Sequence, residues 1–104
     1  MRAEVLKGHL DTLLLAAVAE SPAHGYLIVE RLRRRSQGAF ELSEGTIYPA
    51  LYRLEAAGLL ASRWSAESGR RRRVYRLTRR GHEALDAGRQ DWAGFARAVE
   101  AVIG

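Results

Sequence analysis

Apolar residues recur at helical spacing near the start of the chain. Leu10, Leu13, Leu14, Ala17 and Val18 predict a first helix over residues 9–20. Leu15 and Ala16 widen its stripe, so this helix is expected to be buried on more than one side. Ser21-Pro22 ends it, because proline cannot continue the hydrogen-bond ladder and turns its predecessor away from helix. A second helix is predicted over residues 25–35, with Tyr26 or Leu27, Val29 and Leu32 as its inner stripe and Gln37-Gly38 as its stop. Residues 39–42 are short and partly apolar, and suggest a brief strand.

Ser43 then stands where a helix needs a side-chain acceptor for an orphan amide, and a third helix is predicted from there to residue 57. Gly58 follows, able to take the left-handed conformation of a helix terminus. Residues 59–65 and 73–77 alternate as two strands of a hairpin, joined by Ala66-Glu67-Ser68-Gly69 and a run of arginines. Alternation sends Arg73, Tyr75 and Leu77 to one side and Val74 and Arg76 to the other, with Tyr75 and Leu77 expected in the core. A long fourth helix is predicted over residues 80–102. The order helix, helix, strand, helix, strand, strand, helix gives the expected fold class: mainly α, a winged helix-turn-helix with a two-stranded wing plus a long C-terminal dimerisation helix. The expected division is a DNA-binding unit over residues 1–78 and the dimerisation helix over residues 79–104, in one compact domain.

Two of these helices have a second face that the core does not explain. At about 100° per residue, Ile47, Leu51, Leu54 and Gly58 share the inner face of the third helix, flanked by Ala50. Gly45, Pro49 and Tyr52 lie opposite, flanked by Thr46, Tyr48 and Arg53. An outer face with tyrosines, a threonine and an arginine but little carboxylate suits a helix that enters a major groove. Pro49 reads either as a mild kink or as a distorted turn presented to DNA. In the last helix Leu85, Gly88, Trp92, Phe95, Val99 and Val102 alternate spacings of three and four, the seam of two helices packed on each other. Gly88 is a poor seam residue but could open space beside Trp92. A monomer would expose this seam, so a homodimer is expected. Trp92 reads either as dimer core or as one wall of an effector pocket, with the first helix as the other.

Charge sharpens the picture. The 104 residues carry 17 Lys and Arg against 12 Asp and Glu, for a net charge of +5. The arginines cluster at 33–35 and at 70–73, the latter on the hairpin tip, where mutual repulsion favours a polyanion nearby. Such a tip reads either as a solubilising loop or, in the preferred reading, as a clamp on phosphates beside the groove that positions the protein without specifying sequence. The chain has no cysteine, which excludes disulfides, thiolate metal sites and cysteine nucleophiles. No apolar run is long enough to span a bilayer, and Glu4, Lys7, His9 and Asp11 break up any signal-peptide layout, so a cytoplasmic, nucleoid-associated protein is expected. His9, His24 and His82 fall in different elements without metal-ligand spacing, and no nucleophile has an evident base. No catalytic residue, metal or cofactor is therefore expected.

The candidate DNA-contacting residues are Ser43, Gly45, Thr46, Tyr48, Pro49, Tyr52, Arg53, Arg70, Arg71, Arg72 and Arg73. The candidate dimer or effector residues are Leu10, Leu14, Leu85, Gly88, Trp92, Phe95, Ala96 and Val99. The main alternative is a winged helix used only for protein interaction. Such a module has little need for an arginine-tipped wing.

The run His24-Gly25-Tyr26, the segment from Leu42 through Ser43-Glu44-Gly45-Thr46-Ile47-Tyr48-Pro49-Ala50-Leu51-Tyr52-Arg53-Leu54 to Glu55, and Gly58-Leu59-Leu60 resemble the PadR family of transcriptional regulators. Residues 71–81, with Val74-Tyr75-Arg76-Leu77-Thr78, resemble its wing strand and the entry to its last helix. The resemblance covers nearly the whole chain. It implies a homodimeric repressor whose third helices enter successive major grooves of a palindromic operator. A single C-terminal helix implies the small subfamily, whose first and last helices commonly dimerise. Some such members bind flat aromatic drugs at the dimer interface, stacked on a tryptophan at the position of Trp92. The acidic and polar residues that can follow it are replaced by Ala93, Gly94, Phe95 and Ala96, which argues against cationic drugs.

Overall fold

The computed structural model describes residue 6 and residues 8–104, with residue 68 described by its backbone alone. Residues 1–5 and 7, the opening of the expected 1–78 unit, lie outside the described residues. The elements run α1 (Leu10–Ala19), α2 (Gly25–Arg35), α3 (Glu44–Ala56), β1 (Leu60–Ser65), β2 (Arg72–Leu77) and α4 (Arg79–Ile103). A one-turn 3₁₀ segment, Glu67–Gly69, joins the strands.

Helix α1 is the centre of the core. Leu14, Leu15, Ala17 and Val18 are all buried, as a helix that is apolar nearly all round requires. It packs against α2, α3, α4 and β2. The antiparallel hairpin pairs Leu60 with Leu77 and, at its far end, Ser65 with Arg72. Tyr75 on β2 is fully buried, as the alternation predicts, and joins Ile28, Ile47, Leu51, Leu54 and Leu60 in the same cluster.

The inner stripe of α2 differs from the expected one. Gly25, Ile28, Arg31 and Leu32 are buried, whereas Tyr26 is 59% exposed and Leu27 and Val29 are half-buried. The buried arginine explains the phase. Its guanidinium donates to the Ala17 carbonyl at 2.9 Å, the Ser21 carbonyl at 2.6 Å and the Ser21 hydroxyl at 2.6 Å. With those donors satisfied, a charged side chain can occupy an inner position.

Residues 39–43 form no strand. The Ser36 hydroxyl accepts from the Phe40 amide at 2.9 Å, which takes a donor that a sheet ladder would need. The third rung of the wing comes instead from Ala23, whose amide and carbonyl both bond to Tyr75.

The ends of α3 are fixed locally. The Ser43 hydroxyl accepts from the Thr46 amide at 3.2 Å. At the other end Gly58 has φ +80°, and the Leu59 and Gly58 amides bond back to the Leu54 and Glu55 carbonyls, each at 3.0 Å. Thr78 then links this end to α4. Its hydroxyl donates to the Gly58 carbonyl at 2.6 Å and accepts from the Gly81 amide at 3.0 Å. A Cβ at Gly81 would run into the Leu59 carbonyl oxygen, so the start of α4 lies directly on the α3–β1 junction.

Two expected interface residues lie elsewhere. Leu14 is fully buried and Leu85 is 2% exposed, both in the protomer core, so neither is open to a partner or an effector. The first half of α4 packs on α1 within the same chain, and the free seam begins only beyond it. Gly88 belongs to that intramolecular crossing, since a Cβ there would run into Thr12 of α1. Among the described residues, no helix is long and apolar enough to cross a membrane and no His, Asp or Glu group could hold a metal ion.

Candidate nucleic-acid interface

The outer face of α3 and the wing border one cleft of about 500 Å³. Tyr48 and Tyr52 of α3, Trp64 of β1, Arg70 to Arg73, and His24 and Tyr26 at the start of α2 all line it. Of the α3 candidates it brings Tyr48 and Tyr52 together with all four wing arginines, whereas Ser43, Gly45, Thr46, Pro49 and Arg53 do not line it.

Along α3, Ser43, Gly45 and Pro49 are exposed, Thr46 is half-buried, and Tyr52 is 56% exposed. Pro49 lies inside the helix without interrupting it. Tyr48 is half-buried because its ring lies against Gly25, leaving no room for a Cβ there. It also approaches Tyr52, with ring centroids 6.0 Å apart. Burial raises the Tyr48 hydroxyl above its ordinary pKa, aided by the negative charge of Glu44. Arg53 is exposed but already paired: its guanidinium donates twice to Asp11, at 2.6 and 2.8 Å.

The wing arginines have separate surroundings. Arg71 and Arg73 lie over the Trp64 ring, with guanidinium carbons 4.5 and 5.3 Å from its centroid, so the indole offsets part of their repulsion. Arg73 also donates to the Ser62 hydroxyl at 2.8 Å and faces Glu55 at 3.6 Å, tying the wing to α3. Arg72 turns inward, 2.7 Å from His24 Nε2. Arg70 and Arg71 are exposed. Beneath the cleft, the buried Tyr75 hydroxyl makes no hydrogen bond among the described residues, and burial pushes its pKa up to about 12.

Trp64, His24, Tyr26, Tyr75 and Glu44 are lining residues absent from the sequence-derived set. A signal existed for Trp64, which pairs across the hairpin with Arg73. For His24 the sequence offered only its place in the family-like run His24-Gly25-Tyr26, because its partner lies 48 positions away. The arginines of α2 are at another site, where Arg34 and Arg35 approach Glu20 at 3.4 and 3.9 Å.

A second exposed surface lies on α4. Trp92 and Phe95 are 53% and 54% exposed. Their rings are 6.0 Å apart, and the His9 ring meets Trp92 edge-on at 5.3 Å. Leu10, Ala96 and Val99 are half-buried nearby in the chain's two terminal helices, and Val102 and Ile103 stand 85% and 78% exposed.

Comparison with known proteins gives a consistent result. The model of the family described as "Transcriptional regulator PadR-like family" matches residues 14–87. The chain is 41% identical over 86 residues to transcriptional regulator Rv3488 of Mycobacterium tuberculosis, covering 83% of this chain and 78% of that protein. Its fold matches a transcriptional regulator from Clostridium thermocellum with a TM-score of 0.89 at 27% identity, over 97% of this chain and 99% of the other. A PadR family transcription regulator from Clostridium difficile matches with a TM-score of 0.80 at 32% identity, over 92% and 99% of the two chains.

Proposed function

This chain belongs to the PadR-like family of transcriptional regulators, and from that premise we propose that it is a homodimeric repressor of a palindromic operator. The observation that carries the reading is the shared cleft, in which an aromatic helix face meets a row of arginines. Helix α3 lies in the major groove with Gly45, Thr46, Pro49 and Tyr52 towards the bases. Ser43 lies at its tip and Tyr48 at the cleft side. Arg70 and Arg71 grip the flanking backbone, while Arg72, Arg73 and Arg53 act from positions partly held by the protein itself. Two protomers, joined through α4 in the manner of the small subfamily, present two such heads to half-sites about one helical turn apart.

Footprinting on DNA recovered by genomic pull-down tests this reading. Paired protection of two half-sites is the expected result, and protection of one half-site or none counts against it. Charge reversal of the wing arginines separates it from a protein-interaction module, which would keep its partner while a DNA binder loses its affinity and steep salt dependence.

A second reading concerns release. The exposed Trp92–Phe95 pair, with His9 against its edge, supports binding of a small uncharged aromatic effector at the dimer interface. Such an effector lowers operator affinity by favouring a dimer whose reading heads are spaced differently. Titration of aromatic compounds against the fluorescence of Trp92 in a Trp64→Phe background tests it. No quenching across a broad panel would leave Trp92 as dimer core alone.

A further inference from the structure

His24 is the N-cap of α2: its Nδ1 accepts a hydrogen bond from the Leu27 amide at 3.3 Å. Its Nε2 lies 2.7 Å from Nη1 of Arg72. Both neighbours are donors. A neutral imidazole has one accepting nitrogen and one N–H, so it cannot satisfy both. With Nδ1 committed to the helix cap, the Nε2–H and the guanidinium point into the same space with no acceptor between them. The other tautomer accepts from Arg72 but sets Nδ1–H against the Leu27 amide. Protonation removes the last acceptor, and burial together with the charge of Arg72 already holds the His24 pKa below its ordinary value.

We propose that His24 and Arg72 form a backbone anchor for duplex DNA, in which the His24 Nε2–H and the Arg72 guanidinium share one phosphate oxygen. A single anionic oxygen between them satisfies both donors and leaves the α2 cap intact. The inference rests on the DNA-binding reading above and adds a contact on the inner side of the wing, apart from its tip. The surroundings suit an oxyanion. The Tyr26 ring stacks beside His24 with centroids 6.3 Å apart, and Tyr48 closes the other side against Gly25. The buried Tyr75 hydroxyl beneath the same cleft lacks a partner among the described residues. Among the described residues, Glu44 is the one carboxylate lining the cleft, against the arginines at 70–73. That row of cations continues outward from Arg72, as a chain of phosphates requires and a lone anion does not.

The test is binding of a labelled duplex of arbitrary sequence across a salt series, because backbone contacts are independent of sequence. His24→Ser keeps an oxygen for the cap and removes the Nε2 donor. It should bind about tenfold more weakly, as expected for a lost hydrogen bond to a charged group, with an unchanged salt slope because no charge is lost. Arg72→Gln should weaken binding and reduce the slope of log K against log salt by about 0.9 for each bound protomer. The double variant should lose less than the sum of the two, because both donors serve one phosphate. Thermal melting reports whether His24→Ser folds, and His24→Asn is the alternative cap. Ring ¹⁵N spectra of His24 should show a neutral Nε2–H tautomer that shifts on adding duplex and not on adding inorganic phosphate alone.

Duplex binding by His24→Ser equal to wild type, or additive losses, overturns the anchor while leaving the regulator reading in place. A shift with inorganic phosphate equal to that with duplex reassigns the site to a free anion. If the wild type binds no duplex, and Arg70→Glu/Arg71→Glu changes nothing, both readings fall together.

Discussion

The molecule exposes aromatic rings in two places, and their neighbours differ completely. In the cleft between α3 and the wing, Tyr26, Tyr52 and Trp64 are interleaved with guanidinium groups. On α4, Trp92 and Phe95 are followed by Ala96, Val99, Val102 and Ile103. Exposed aromatic surface alone says little about a partner. Mixed with cations, it suits a partner that offers both base edges and negative charge. Mixed with small apolar residues at heptad spacing, it suits a second helix.

The strongest way to break this contrast is to put a charge into the apolar surface. Phe95→Glu should convert the proposed dimer to a monomer by light scattering and abolish paired half-site protection, without lowering the wing's own charge. A dimer that survives this change shows that α4 does not hold it together. The converse change, Arg70→Glu/Arg71→Glu, should leave the proposed dimer intact and lower the salt slope of duplex binding by about 3.6 or more, from the four cations lost, two in each protomer.

The contrast extends along α4 itself. Leu85, 2% exposed, belongs to the protomer core, whereas Val102 is 85% exposed. Leu85→Ala should lower the unfolding free energy by about 2–5 kcal/mol in chemical denaturation. Val102→Ala in diluted, monomeric protein should change it by less than about 0.5 kcal/mol. Equal losses would mean that the seam is buried within the protomer after all.

The smallest effect concerns His24. Its folded pKa is lowered, so the folded state resists a proton that the unfolded state accepts. The stabilisation is therefore complete above 6.5 and is lost as pH falls from there through the folded value. His24→Ser should flatten this part of a melting-temperature profile, and an unchanged profile would assign the acid sensitivity to another group.

Features set by local chemistry were legible in the sequence. Ser43, the Ile47-Leu51-Leu54 stripe and Gly58 define α3 through bonds and spacings within a few residues, and they stand as predicted. What escaped depends on partners remote in sequence. The phase of α2 is set by Arg31 bonding to Ala17 and Ser21, and without those carbonyls in view Ile28 and Val29 are equally good inner residues. Leu85 fits a seam by its spacing, and only the crossing at Thr12 and Gly88 shows which neighbour it packs on. The cleft was half legible. The α3 face and the arginine run are visible as composition, but Trp64 and His24 become part of the site only when the hairpin folds back.

Thr78 carries a mechanical consequence. One hydroxyl closes the end of α3 at Gly58 and opens α4 at Gly81, and the absence of a side chain at Gly81 removes any gap between them. There is no linker here to absorb a rotation. If two copies pair through α4, a tilt of that helix swings the opposite end of the protomer as a lever swings its load. A change of a few degrees where Trp92 sits would then be felt as a change in span between two half-sites.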